Sequence, residues 1–344
     1  MNTWKSLQIA GFTVMLVIPV ARANLTFNLI PDPGMPQFAI DGFTTAANLW
    51  SSAIADNVTV NVQIGYAALG PGVIGQAGSA FYETSYSSVG TALGAHATSP
   101  DDFSSVAALQ SGPSFSRLIN HTSNNPDGAN SSTPYVDTMD RVGMTTANAK
   151  VLGLVSPSGE VDALIRFSSN FAFDFNHGPV IDPGKIDFIG AAAHEIGHAL
   201  GFVSGVDDID SFSGTSPGFA FSDNMVDLFR YSEMSLNMGA GITDYTADTR
   251  DKFFSVDGGL TSIALFSTGF TFGDGRQASH WKDGLELGLM DPTVAFGERM
   301  DFTLNDYRLF DVIGYTLVPE PGTGVILVLG MMLIMARHRA STER

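Results

Sequence analysis

The sequence predicts an α+β domain, and three observations point there. Residues 38 to 56, "FAIDGFTTAANLWSSAIAD", carry apolar side chains at helical spacing. Residues 57 to 66, "NVTVNVQIGY", switch at once to strict alternation. Two further helical patterns, 182 to 201 and 302 to 315, are separated by a long stretch of mixed character. Helix, strand, helix, long connection and final helix is the order of an α+β fold rather than of a regular βαβ repeat.

In the first helix, Phe43, Ala46, Ala47, Trp50 and Ile54 recur every three to four positions and so share one face. The strand that follows points Val58, Val60, Val62 and Ile64 to one side, as a half-buried strand does. Residues 162 to 176, "DALIRFSSNFAFDFN", read as another strand followed by an extended piece. The helix over 182 to 201 has Asp182 as a candidate cap and Pro183 at its first position, with Gly201 as a left-handed stop. In the closing helix, Thr303 or Asn305 is the candidate cap, and Leu309, Val312 and Ile313 form the apolar face. Residues 67 to 160, rich in Gly, Ser and Thr, predict short helices and loops.

The chain has 344 residues, 44% hydrophobic and 15% charged, so it can bury a substantial core. Its net charge of -18 argues against nucleic acid as a partner, because phosphate binding needs a basic patch. There is no cysteine, so disulfides and thiolate metal sites are excluded, and any metal must be held by His, Asp or Glu.

Both ends read as processing segments. Residues 1–23 place Lys5 before an apolar run and end in Ala21-Arg22-Ala23, the pattern of a secretory signal. Residues 317–344 carry Pro319-Glu320-Pro321, an apolar run and then Arg337, His338 and Arg339. This order resembles the PEP-CTERM sorting tail of exported proteins in Gram-negative bacteria. The resemblance implies recognition by an exosortase-type processing enzyme and membrane contact through the apolar segment before processing. It also implies a final place at the cell surface or in the extracellular matrix. Residues 24–316 are then the working region.

"AAAHEIGHALG" (191 to 201) is the chemical centre of that region. On a helix, positions four apart lie on one face, so His194 and His198 can bind one metal ion. Glu195 borders the same face, about a hundred degrees away. It is the candidate general base for a water activated by zinc. Gly197 and Ala199 leave room for close neighbours. A catalytic zinc normally takes three protein ligands, and the stretch supplies two. Asp207 and Asp208 are nearest in sequence, Glu233 follows 35 residues after His198, and His280 has the fullest context. It lies in "ASHWKDGLELGLMDPTVAFG", with Met290 and the turn-forming Asp291-Pro292 downstream.

"HEIGHALGF" followed much later by "SHWKDGLELGLMDP" and "LNDYRLFDVIGY" resembles the metzincin zinc metalloproteases, in their leishmanolysin-like and matrixin-like branches. The resemblance implies a domain with a twisted mixed sheet, an active-site helix and a C-terminal helix. It implies one catalytic Zn2+ on His194, His198 and His280, Glu195 as the base, and Met290 in a turn beneath the metal. Ser204 stands where a closely spaced third ligand would be, so residues 205–278 become a long insertion between the second and third ligands. The expected activity is endopeptidase cleavage of a protein or peptide substrate. The alternative is a non-catalytic surface or matrix protein on the same scaffold, and zinc-dependent hydrolysis of another bond would use the same chemistry.

Within the insertion, "SGVDDIDSFSG" and "FGDGRQ" are acidic, glycine-rich loops. They offer oxygen atoms of the kind Ca2+ favours but lack EF-hand spacing, and solvated turns are the plainer reading. "DNMVDLFRYS" predicts a short helix packing Met225, Leu228 and Phe229. Tyr231, Tyr245 and Tyr315 are candidate donors to an oxyanion. Trp281 reads as a packing residue at or near the cleft wall.

Overall fold

A computed structural model describes residues 24–214 and 224–318. The segment 1–23 expected to be a signal, and the Pro-Glu-Pro tail with its basic end, lie outside the described residues. No described helix is long and apolar enough to cross a membrane.

The architecture is mixed α+β, with eight α-helices among the described residues and several small sheets beside one main sheet. The main sheet is built from β1 (Thr26–Pro31), β2 (Thr59–Ala67), β3 (Gly75–Ser79) and β4 (Ala163–Ser168), in the order β1-β2-β4-β3. β1, β2 and β4 run parallel, and β3 lies antiparallel along the edge beside β4. β2 is central, which changes one expectation. It is buried on both faces rather than half-buried, and Asn61 is inside with Val60 and Val62. Asn61 tolerates burial because its polar atoms have partners: Nδ2 donates to the carbonyls of Ser158 and Glu160, and its backbone N–H donates to Asp162. Asp162 in turn takes Lys150 Nζ at 2.6 Å, a buried pair joining the sheet to a neighbouring helix.

α1 (Gln37–Ala53) has the predicted apolar face, with Phe43, Ala46, Ala47 and Trp50 buried. α2 (Phe188–Leu200) packs beside it. Phe43 of α1 meets Phe188 of α2 edge-on at 5.3 Å, and both rings meet Phe167 of β4. Trp50 is 1% exposed and donates Nε1–H to the Ala193 carbonyl at 2.8 Å, so its burial leaves no polar atom unpaired.

α2 begins later than the sequence suggests. Asp182 is not its cap: its side chain accepts from Gly184 in a tight turn, and Ile186–Asp187 then pairs in parallel with Phe173–Asp174. That extended pairing keeps the backbone out of the helix until 188. Asp187 caps it instead, accepting from the Gly190 N–H at 3.0 Å. Gly201 ends the helix at φ +121°, as expected.

Residues 67 to 160 hold more strand than predicted. Antiparallel pairs join 81–85 to 141–145 and 115–119 to 135–139, with helices at 86–96, 100–108 and 146–151. After α2 comes the short α3 (Val206–Ser211). The helix predicted around 225–229 forms a 3-10 turn, with Met225, Leu228 and Phe229 buried as expected. α4 (Leu304–Val312) closes the region. Of its two candidate caps Thr303 is the one used, in a reciprocal arrangement with Asp306. The chain then returns to α1, where Leu317 bridges Ile54.

Candidate metal centre

Eleven of the thirteen residues of α2 are buried, and the two that are not are Glu195 and His198. They lie three apart and so share a face, which marks where the helix opens to solvent. His194 lies one turn back from His198 on the same side.

His280 comes from a loop that is neither helix nor strand, 82 residues beyond His198, and closes onto these two. His198 Nε2 is 3.1 Å from His194 Nε2 and 3.2 Å from His280 Nε2. Each ring presents its other nitrogen to a backbone carbonyl: His194 Nδ1 to Leu289 at 2.9 Å, His198 Nδ1 to Phe202 at 2.7 Å, His280 Nδ1 to Gln277 at 3.2 Å. A carbonyl can only accept, so each Nδ1 carries the proton and each Nε2 of a neutral ring carries a lone pair.

The rings are held neutral. Burial pushes the His194 imidazole down to about 4 and that of His198 to about 3, and it drives His280 well below its ordinary value. The result is three converging lone pairs with no proton among them. Neutral nitrogens at 3.1 Å repel unless a cation sits between them. The donor set therefore fits a metal ion, with Nδ1 hydrogen bonds of the kind that orient imidazole ligands. Among the described residues these three form the group that can hold a metal ion.

Glu195 is half-buried and makes no hydrogen bond or ion pair to the protein. Burial raises its carboxyl to about 7. Nearby carboxylates are spent differently. Asp306 accepts from the backbone N–H groups of Leu289 and Thr303 and from Trp281 Nε1, at 2.7 to 2.8 Å. Asp187 accepts from Gly190 N–H and Met300 N–H and also faces His177 Nδ1 at 2.9 Å.

Met290 is fully buried against Gly197 of α2. A Cβ at Gly197 would meet Met290 Sδ at 2.5 Å and the Trp50 ring at 3.2 Å, so glycine is what lets the turn come this close. The Met290 carbonyl accepts from Trp281 N–H at 2.9 Å. That bond ties the methionine turn back to the residue after His280.

The other ligand candidates are elsewhere. Asp207 accepts from the N–H groups of Ala278 and Ser279 and from the Ser279 hydroxyl. Asp208 is on α3 beside Asp227, and Glu233 is exposed at the start of the 233–238 helix. Neither joins the three histidines. The acidic loops considered for Ca2+ spend carboxylates on backbone N–H groups. Asp210 accepts from Thr271 and Phe272 N–H, and Asp274 from Thr268 and Arg276 N–H.

The tyrosines are likewise committed. Tyr231 donates to the Leu228 carbonyl and Tyr315 to the Leu200 carbonyl, while Tyr245 is fully buried beneath the Arg117 guanidinium. Trp281 packs in the interior on Phe266 at 5.0 Å and does not line the cleft. Sequence reasoning missed Asp306, whose signal was its place three residues after the helix-capping Thr303.

Comparison with known proteins brings no match: no family model, no characterised protein and no solved structure matches this chain.

Proposed function

We propose that this chain is an exported zinc-dependent endopeptidase of metzincin-like type. One observation carries the reading: a half-buried carboxylate with no protein partner, Glu195, stands beside three neutral imidazoles whose Nε2 lone pairs converge. Partly open to solvent and tied to no protein donor, that carboxylate is left available to a water molecule, as a general base must be.

His194, His198 and His280 would hold the metal through Nε2. Imidazole suits several first-row metals. Three histidines with an open position are a known form of catalytic zinc site, and zinc brings no redox chemistry. When bound, the ion supplies a Lewis acid that polarises a scissile carbonyl and lowers the pKa of water. The protein does the rest. The Leu289, Phe202 and Gln277 carbonyls fix the ring orientations, and the Glu195 carboxylate takes a proton from the attacking water and returns it to the leaving amine. The sorting-tail resemblance of residues 317–344 supports a cell-surface or matrix location.

The test is Glu195→Gln assayed on a protein substrate such as casein. Its expected signature is full zinc content with activity lowered about 100- to 10,000-fold, the usual range for a general base. Zinc-loaded wild type without hydrolytic activity would favour the non-catalytic surface protein instead.

A further inference from the structure

His280 sits on a loop held by isolated backbone contacts, its carbonyl accepting from Ser267 N–H at 3.0 Å and Trp281 bridging Phe266, yet its Nε2 must meet two partners held by a rigid helix. The two residues before it are also held from the turn immediately after that helix. Ser204 N–H donates to Ser279 Oγ at 2.8 Å. Asp207 takes the Ala278 N–H at 2.6 Å, the Ser279 N–H at 3.1 Å and the Ser279 hydroxyl. Ser204 Oγ and the Gly205 N–H are in turn held by Asp227 at 2.6 and 2.9 Å. From the other side the fully buried Arg230 donates to the Ala278 carbonyl at 3.4 Å and to the Ser267 carbonyl at 2.7 Å. The two residues before His280 are thus gripped on both their N–H groups, one carbonyl and one hydroxyl.

We propose that Asp207 is a positioning residue for the third metal ligand: with Ser204 and Ser279 it clamps the 278–280 loop onto the end of α2 and sets where His280 Nε2 lies. This rests on the metal-site reading above. The turn that carries no ligand itself, with Ser204 where a closely spaced ligand would be, acts as the socket for the distant one. The insertion between 205 and 278 then has a defined duty, since Asp207 near its start and Ala278 at its end are bonded to each other.

The test measures Zn2+ affinity of the folded, full-length protein by competition with a chromophoric chelator. It also records the visible absorption of the Co2+-substituted form, which reports ligand number and geometry. Wild type is compared with Asp207→Ala, Ser279→Ala and Asp244→Ala. Asp244 is an equally committed carboxylate in the same insertion, bonded to Ser232, Thr246 and Arg250 and not to the 278–280 loop. A merely structural role would make Asp207→Ala and Asp244→Ala alike. The clamp predicts that Asp207→Ala weakens zinc about 10- to 100-fold and alters the Co2+ spectrum. It predicts that Ser279→Ala shifts both in the same direction by less, and that Asp244→Ala changes neither. Should Asp207→Ala not fold, Ser279→Ala decides. Wild-type affinity and spectrum in the Asp207 and Ser279 variants would overturn the clamp alone. Wild type that takes up no metal would remove the underlying reading as well.

Discussion

The two sides of the candidate metal centre are made in opposite ways. On one side His194 and His198 come from a single helix, and their relation follows from four-residue spacing. On the other, His280 and the Met290 turn come from loops, and carboxylates from other parts of the chain hold them in place. Asp207 holds the residues before His280, and Asp306 holds Trp281 and Leu289 after it. The loop side also serves the helix side, because the Leu289 carbonyl orients the His194 ring. Helix geometry brings two imidazoles together, and the third is brought to them by a loop held through Asp207 and Asp306.

Asp306→Ala breaks this arrangement most severely. It strips acceptors from the Leu289 and Thr303 N–H groups and from the buried Trp281 indole. Each orphaned buried group costs about 1–3 kcal/mol. Chemical denaturation should show a loss of at least about 3 kcal/mol, and metal affinity should fall with it because the Leu289 carbonyl moves. An unchanged midpoint would mean that the loop side does not depend on its carboxylates.

Metal removal comes next. A ligand that binds only the folded state stabilises it by about 4 kcal/mol at a thousandfold excess over Kd. Chelation should lower the melting temperature of wild type and leave that of His280→Ala unmoved. Equal shifts in both would detach the stabilising metal from these histidines.

The seam between the two sides is Gly197. A methyl group there has to displace Met290 Sδ, so Gly197→Ala should cost about 1–3 kcal/mol by overpacking. The compensating Met290→Ala change should restore part of it in the double variant. If the two changes act independently, the close approach has no energetic weight.

The smallest effect belongs to the cap of α4. Thr303→Ala removes the hydroxyl that accepts from Asn305 N–H and donates to the Leu287 carbonyl, for about 1 kcal/mol. It should leave metal content intact, and a loss of metal would show that the closing helix acts on the site through its cap.

How much of this was legible beforehand follows the same division. Local features were readable: the α1 face built on Phe43 and Trp50, the helix stop at Gly201 and the pairing of His194 with His198. His280 was readable through its company, a methionine turn and a closing helix downstream. The cap of α2 was misplaced, because Asp182-Pro183 is as good a turn as it is a helix start, and only the pairing of 186–187 with 173–174 decides between them. β1 gave no signal, since an edge strand with mostly exposed side chains shows little alternation. Asp207 and Asp306 were not readable as supports. A carboxylate that will accept from N–H groups some seventy or seventeen residues away looks the same in sequence as one facing water. Asp207 was weighed as a ligand for its nearness to His198, whereas its partners are backbone amides.

The most direct test of the central claim is metal content by elemental analysis, on purified wild type beside His280→Ala. The account predicts about one zinc per chain in the wild type and almost none in the variant. Full zinc in His280→Ala would contradict it, and would show that the ion does not depend on the three convergent imidazoles.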